Sequence, residues 1–323
     1  MPESDRGSAK PAILSDPVCN TTGGLEMKVK RFGSTAEERT MGYAFVLPGI
    51  LFLGLFIFLP IAYSVYMSLF EWKLFDLGKT KTFVGLDNFI KIFSDRVFLT
   101  ALINTLSIVA VCLVIELILG FIISLSLWNI KKSTKFAQSL ILLPMITSPV
   151  IVGLIWRFIY DPQFGIVNFV LRNTLGIGNI AWLGDAKTAL PSVMLVDIWQ
   201  MTSFVILVLY AGMTSISSEY IEAAQVDGTT LWQTVRYMII PSISHYIMLV
   251  MMMRTMDLFK IFDTVYVLTR GGPGYATETL SVYTYKTSFQ FYDMGYAMAL
   301  SLVTLICILI ISMGYMKRMN KER

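Results

Sequence analysis

An all-α membrane protein of six helical spans is the fold this sequence predicts, and three observations predict it. Hydrophobic side chains make up 55% of the 323 residues and the mean hydropathy is +0.65, too apolar for a soluble domain of that length. Six apolar runs, at 42–69, 102–127, 137–160, 190–213, 240–268 and 295–316, reach the ~20 residues a helix needs to cross a bilayer. Between the fourth and fifth runs lies a polar, helix-forming elbow, Ser217 to Ile243, that no span requires for its own sake.

The elements follow in order. Residues 1–33 mix Pro, Gly, Ser and Thr with charge and read as a mobile tail. Ser34, Thr35, Ala36 and Glu37 have capping-box spacing, so a helix is expected to start there and feed the first span, with Pro48 and Pro60 as kink points. That span is too long for a signal-peptide core and lacks a small-residue cleavage site, so it is expected to stay in the mature chain. The chain therefore divides into an N-terminal tail over 1–40, a transmembrane domain over 41–318 with the elbow at 214–241, and a short tail over 319–323.

Charge sets the orientation. The N-terminal tail carries Arg6, Lys10, Lys28, Lys30, Arg31 and Arg39, the connection after the second span Lys131, Lys132 and Lys135, and the C-terminus Lys317, Arg318, Lys321 and Arg323. Six spans put all three groups on one side, and an excess of Lys and Arg marks that side as the cytoplasm. The elbow falls on the same side. Lys73, Lys79, Lys81, Lys91 and Arg96, after the first span, dilute the bias. The net charge of +4 is largely this tally and implies no nucleic-acid partner.

Several chemistries lack their residues. Cys112 and Cys307 lie inside spans and Cys19 lacks the preceding apolar stretch of a lipoprotein, so all three cysteines read as structural. With one histidine, His245, and no H-E-x-x-H, the sequence offers no catalytic metal set. There is no G-x-S-x-G elbow for a serine nucleophile and no G-x-x-x-x-G-K-[ST] loop to cradle phosphates. An enzyme is therefore disfavoured, and if ATP drives the process another chain binds it.

The elbow is built for docking. Glu222, Ala223, Ala224 and Gln225 favour helix, Asp227 and Gly228 supply a turn, and Thr229 or Thr230 caps a second short helix through Leu231, Trp232, Val235 and Arg236. The alanines leave a low surface for close approach, and Glu222 offers a carboxylate to a basic partner. An amphipathic loop lying on the membrane surface is the plainer alternative. The spacing resembles the EAA loop of binding-protein-dependent ABC importers: Glu222, Ala223, Ala224, Gly228 and Pro241 match in order. The family's I-x-L-P ending appears as Met238-Ile239-Ile240-Pro241, and His245 stands where a second proline is common. Phe83-Val84-Gly85-Leu86-Asp87-Asn88-Phe89, and the stretch from Thr269 through Gly271-Gly272-Pro273 to Thr277-Glu278-Thr279-Leu280, resemble two outer segments of carbohydrate-type permeases in that family.

The resemblance implies a type I ABC importer permease that binds no cofactor itself. Its implied partners are a second, usually unlike, permease, two ATPase copies carrying ATP and Mg, an extracytoplasmic solute-binding protein and a carbohydrate. The Gly-Gly-Pro loop favours the sugar-gripping subunit of maltose-type importers. A secondary carrier or channel for a polar solute is the alternative, against which the elbow argues.

Ionisable groups inside spans are functional candidates by default. The fifth run holds Arg254, Asp257, Lys260 and Asp263, alternating in sign every three residues, so neighbours can pair along one helix. This is either a self-neutralising ladder or the lining of a cavity; aligned through Glu222 and the Gly-Gly-Pro loop, the resemblance places Arg254, Asp257 and Leu258 at sugar contacts, with Met201 and Phe204. Sugars need aromatic faces and planar polar groups, which Asp197, Trp199, Gln200 and Phe204 offer on the fourth run. Glu116 and Arg157 are expected as a cross-span pair or near the interfaces. The two cations raise an acidic, uronate-containing substrate, which the interleaved aspartates weaken.

Overall fold

The computed structural model describes residues 36–74, 81–130, 135–176 and 178–321; the tail over 1–33, the Ser34 cap, Cys19, Lys131 and Lys132 lie outside them. The chain forms two compact units, Met1–Ile57 and Phe58–Arg323. In the first, helix α1 (Ala36–Leu53) contains Pro48 and continues into a π-helical turn, Gly54–Phe58. Its apolar side chains, Phe45, Leu51 and Phe52 among them, are exposed all round, the pattern of a helix made for a hydrocarbon surround.

The second unit opens with α2 (Leu59–Ser68), which follows the π-helical turn directly and carries Pro60 in its first turn. A short antiparallel ribbon, β1 (Phe70–Glu71) with β2 (Thr82–Phe83), leads to α3 (Asp87–Ser94) and the long α4 (Arg96–Asn129). Then come α5 (Lys135–Ile146), α6 (Pro149–Ile159), α7 (Ile166–Leu175) and α8 (Ala186–Thr214). The elbow is α9 (Ser218–Val226), α10 (Leu231–Thr234), a second π-helical turn and α11 (Ile240–Ser242). Beyond it lie α12 (Ser244–Phe259), α13 (Asp263–Leu268), α14 (Leu280–Phe289) and α15 (Met294–Lys321).

Among the described residues, four stretches are long and apolar enough to cross a membrane, Phe45–Ser68, Arg96–Asn129, Ala186–Thr214 and Met294–Met319, and the number is up to six if each of two bent pairs is one span. The six apolar runs thus have their counterparts, with two corrections. The third run is broken into α5 and α6 with a 92° bend, because Ser148, preceding Pro149, is driven to extended angles (ψ 134°). The fifth run is not one helix either: the pair Leu231–Ser242 and Ser244–Phe259 bends by 65°, and α12 ends at Phe259, so Asp263 starts a separate helix.

The centre of the unit is α4 lying along α8. Gly120 makes this possible, since a Cβ there would come within 2.5 Å of Val205 Cγ1. Small residues at such crossings let helices approach where water supplies no driving force. Ile108, Cys112, Val152, Val193, Val196 and Leu258 fill the layer around this contact, and Val205, Leu209, Met213, Ile239 and Val250 fill another nearer the elbow.

The outer segments are tied to the helices by single polar side chains, some of them, such as Asn88 and Thr279, within the sequence motifs. Asn88 donates to the carbonyls of Ser68 (2.8 Å) and Phe70 (3.1 Å), closing the end of α2. Asn104 on α4 donates to the carbonyls of Tyr275 and Glu278, and Thr279 caps α14 through the Val282 N–H. Asp95 caps α4 through the Val97 N–H (2.8 Å) and accepts hydroxyl bonds from Tyr296 (2.8 Å) and Tyr283. Burial opposes the Asp95 carboxylate, but the bonds from Tyr283, Tyr296, Val97 and Phe98 outweigh it and hold its pKa below the usual value. Glu278 goes the other way: burial raises its pKa, against the lowering effect of the 2.5 Å bond from Lys286.

A carboxyl whose folded pKa is depressed contributes stability that is present above its unfolded pKa and is lost as pH falls through the folded one. Asp95→Asn should therefore cost about 1–2 kcal/mol near pH 7 through the lost cap and tyrosine bonds. The gap to the native chain should close as pH drops below the ordinary aspartate value of 3.8. Thermal unfolding of the two purified chains across pH checks it; a pH-independent gap would contradict it.

Candidate functional site: a buried ion triad, a cavity and an exposed elbow

Three helices each send one ionisable side chain into the same apolar layer. Arg254 of α12 donates from Nε to Glu116 Oε2 (2.7 Å) and from Nη2 to Glu116 Oε1 (2.8 Å), and Glu116 comes from α4. The same Nη2 donates to Asp197 Oδ2 of α8 at 2.6 Å. Arg254 is 2% exposed and Glu116 0%, so this is a fully enclosed, fork-to-fork pair with a second carboxylate on its flank. Cys112 Sγ joins the carboxylates in a group whose donor atoms lie within 4.8 Å of one another. The cation among them is the guanidinium itself, which already takes up the carboxylate oxygens.

Arg254 and Asp197, with Glu116 behind them, form part of the wall of a cavity of about 310 Å³, lined also by Gln200, Met201, Asp257, Lys260 and Asp263. Gln200 has a structural partner too: its Nε2 donates to the Thr147 carbonyl at 2.9 Å, one of the groups freed by the break between α5 and α6. Asp257 and Lys260 lie 3.7 Å apart with more than half of each side chain exposed, a loose pair of small energetic weight.

Of the residues expected to touch solute, Gln200, Arg254, Asp257 and Lys260 come together at this cavity, and Trp199, Phe204 and Leu258 do not line it. The reason is helical phase. Trp199 is one residue, about 100° of rotation, from Gln200, and meets Trp156 edge to face at 5.6 Å instead. Leu258, next to Asp257, is 1% exposed in the core, and Phe204 packs against the apolar layer near the elbow. Of the expected ladder, Asp257 and Lys260 do pair at i,i+3, and the rest is corrected. Arg254 is bound across helices rather than along its own, and the ladder's last rung, Asp263, stands on a different helix. Glu116 pairs with Arg254, while Arg157 lies apart, exposed at a cleft beside Asp161 and Pro273. A lone carboxylate in the long apolar run around Glu116 was the available sign that a buried cation had to meet it.

The elbow is a helix–turn–helix. Gly228 takes φ +69°, the left-handed turn its identity allows. The Asp227 N–H donates to Ala223 O (3.0 Å) and the Thr229 N–H and hydroxyl both donate to Ala224 O (3.1 and 2.8 Å). Thr230 is the cap, in a full capping box with Gln233. Glu222, Ala223, Asp227 and Gly228 are exposed, and Ala224 is half-buried. Tyr220, Val226, Leu231 and Trp232 expose large apolar surfaces around them. On its inner side the elbow rests on Leu125 and Trp128 of α4, across a cavity of about 210 Å³.

Helices of membrane length thus carry a structured, exposed elbow with an apolar rim. The chain belongs to the family of inner membrane components of binding-protein-dependent transport systems, whose model matches residues 117–321. It is 34% identical over 285 residues to a probable ABC transporter permease, YurN, of Bacillus subtilis, covering 87% of this chain and 96% of that one. It is 30% identical to the trehalose/maltose transport system permease protein MalF of Thermococcus litoralis, over 87% and 94% of the two chains. Its fold resembles a chain in the crystal structure of a bacterial alginate ABC transporter in complex with an alginate pentasaccharide-bound periplasmic protein, with TM-score 0.74, 23% identity and coverage of 86% and 93%. The fold is thus the type I ABC importer permease fold that the elbow and spans led the sequence to predict.

Removing one member of a buried ion group leaves a charge without a partner, at a cost of roughly 3–5 kcal/mol. Arg254→Ala should lower the unfolding midpoint of the purified protein sharply, and adding Glu116→Gln and Asp197→Asn should recover a substantial part. An Arg254→Ala protein as stable as the native chain would refute the clasp role.

Proposed function

We propose that this chain is the membrane-spanning subunit of an ATP-driven importer that carries a carbohydrate into the cytoplasm. The observation that carries the reading is the exposed elbow, with Glu222, Ala223, Ala224, Asp227 and Gly228 as the surface an ATPase engages. Its working partners are a second, non-identical permease, two copies of an ABC ATPase that hold ATP and Mg, and an extracytoplasmic solute-binding protein. The distribution of Lys and Arg supports cytoplasmic termini and a cytoplasmic elbow in a bacterial inner membrane. The names of relatives support a carbohydrate, as with the trehalose/maltose permease and the trehalose transport permease SugA of Mycobacterium tuberculosis, 30% identical over 89% of this chain. Another relative, SmoG of Agrobacterium fabrum, is named for sulfoquinovosyl glycerol, so these names span neutral and anionic sugars.

In this reading the chain does no covalent chemistry. Closure of the ATPases shifts the elbow, and the elbow moves α4 through Leu125 and Trp128, so the cavity alternates between the two sides. Gln200, Asp257 and Lys260 meet solute hydroxyls, Arg254 holds Asp197 at the wall, and Trp199, Phe204 and Leu258 act by packing.

Affinity purification of the tagged chain in mild detergent should bring down a stoichiometric ATPase and a second permease. Gly228→Val puts a β-branched residue at a positive φ, a strain of about 1–2 kcal/mol. It should leave the complex expressed while abolishing uptake in cells. Uptake at native levels by the variant, or a chain that transports with no ATPase recovered after cross-linking, would refute the docking role.

A further inference from the structure

The charge of the cavity narrows the solute, on the carbohydrate reading above. Sequence counting gives two cations, Arg254 and Lys260, that invite an anionic sugar. The three-dimensional arrangement removes that invitation. The Nε and Nη2 of Arg254 are bonded to Glu116 and Asp197, and Lys260 stands 3.7 Å from Asp257. The cavity wall carries three carboxylates, Asp197, Asp257 and Asp263, against those two cations, so it is net negative before Glu116, behind Arg254, is counted. Asp263 adds its carboxylate because the chain breaks after Lys260 and restarts at α13, which turns it onto the same cavity.

We infer that this cavity selects against anionic sugars: Asp257 and Asp263 are specificity-determining residues that admit neutral or cationic polyhydroxylated solutes and repel uronates. Their side chains accept hydrogen bonds from sugar hydroxyls, which donate freely. A sugar carboxylate in the same place meets at most Lys260, which already stands 3.7 Å from Asp257, and it faces the like charges of Asp257 and Asp263 across the cavity.

The test uses the complex that co-purifies with this chain, in lipid nanodiscs and without the binding protein, whose own selectivity would mask that of the membrane cavity. Equilibrium binding is measured for matched trisaccharides of the gluco, galacto and manno series, each as the neutral sugar and as its C6 uronate. In at least one series the neutral member should bind at least about tenfold tighter than its uronate. Asp257→Asn with Asp263→Asn should narrow that gap by about tenfold or more, on the scale of a partly screened charge at this range, with neutral binding retained as proof of an intact cavity. Uronates that bind the native complex as tightly as their neutral partners in every series that binds, or a gap that the double variant leaves unchanged, overturn the inference while leaving the carbohydrate reading standing. Binding of no sugar from any series by an intact complex removes both.

Discussion

A guanidinium and two carboxylates almost wholly buried among apolar side chains are each met by the others. The contact of Arg254 with Glu116 and Asp197 is therefore the constraint on which the membrane unit depends. It fixes α4, α8 and α12 relative to one another at one level and with a defined geometry, since the planar fork accepts carboxylates along set directions. Hydrophobic packing alone would not do this, because lipid is as apolar as the helix faces and gives little reason to prefer one register over another. Gly120 then lets α4 and α8 close on each other, and Ile108, Cys112, Val193 and Leu258 form an apolar layer beside the charges.

The cavity owes its existence to broken helices beside that clasp. A span that ended its hydrogen-bond ladder in lipid would leave polar backbone groups unmet, so breaks persist only where protein groups satisfy them or a cavity wets them. At the α5–α6 break Gln200 supplies a donor to Thr147 O, and at the end of α12 the Lys260 and Ile261 N–H groups bond back to Asp257 and Leu258. The breaks place charged side chains at an open surface instead of burying them. The elbow rests on the end of α4 and on the layer formed by Val235 and Ile239, away from the charged clasp.

Outside the spans, order comes from single polar side chains bonded to backbone. Asn88, Asn104, Asp95 and Thr279 each close a helix end or pin a loop to a neighbouring helix. Asn168 does likewise in the connection between α7 and α8, bonding the Ile180 N–H and carbonyl and the Trp182 indole. Gly271 belongs to this set, because its missing Cβ leaves the room that the Glu278 carboxylate occupies beside Lys286. These loops are structured by specific bonds rather than by a core of their own.

The sequence by itself determined the class: apolar runs of membrane length, the polar elbow with Gly228 at its turn and Thr230 able to cap, and the two outer motifs were all legible because each depends on local composition and spacing. What it could not determine was how charges within the spans are partnered. Arg254, Asp257, Lys260 and Asp263 look like one ladder at spacing of three, and only the tertiary structure broke that helix and turned Arg254 toward Glu116, 138 positions away. Trp199, Phe204 and Leu258 likewise carry the right chemistry for a sugar, but which side of a helix faces a cavity depends on its rotation against its neighbours. That rotation is decided by long-range packing and ion pairing, and neither has a local signature in a chain whose helices are apolar on nearly every face.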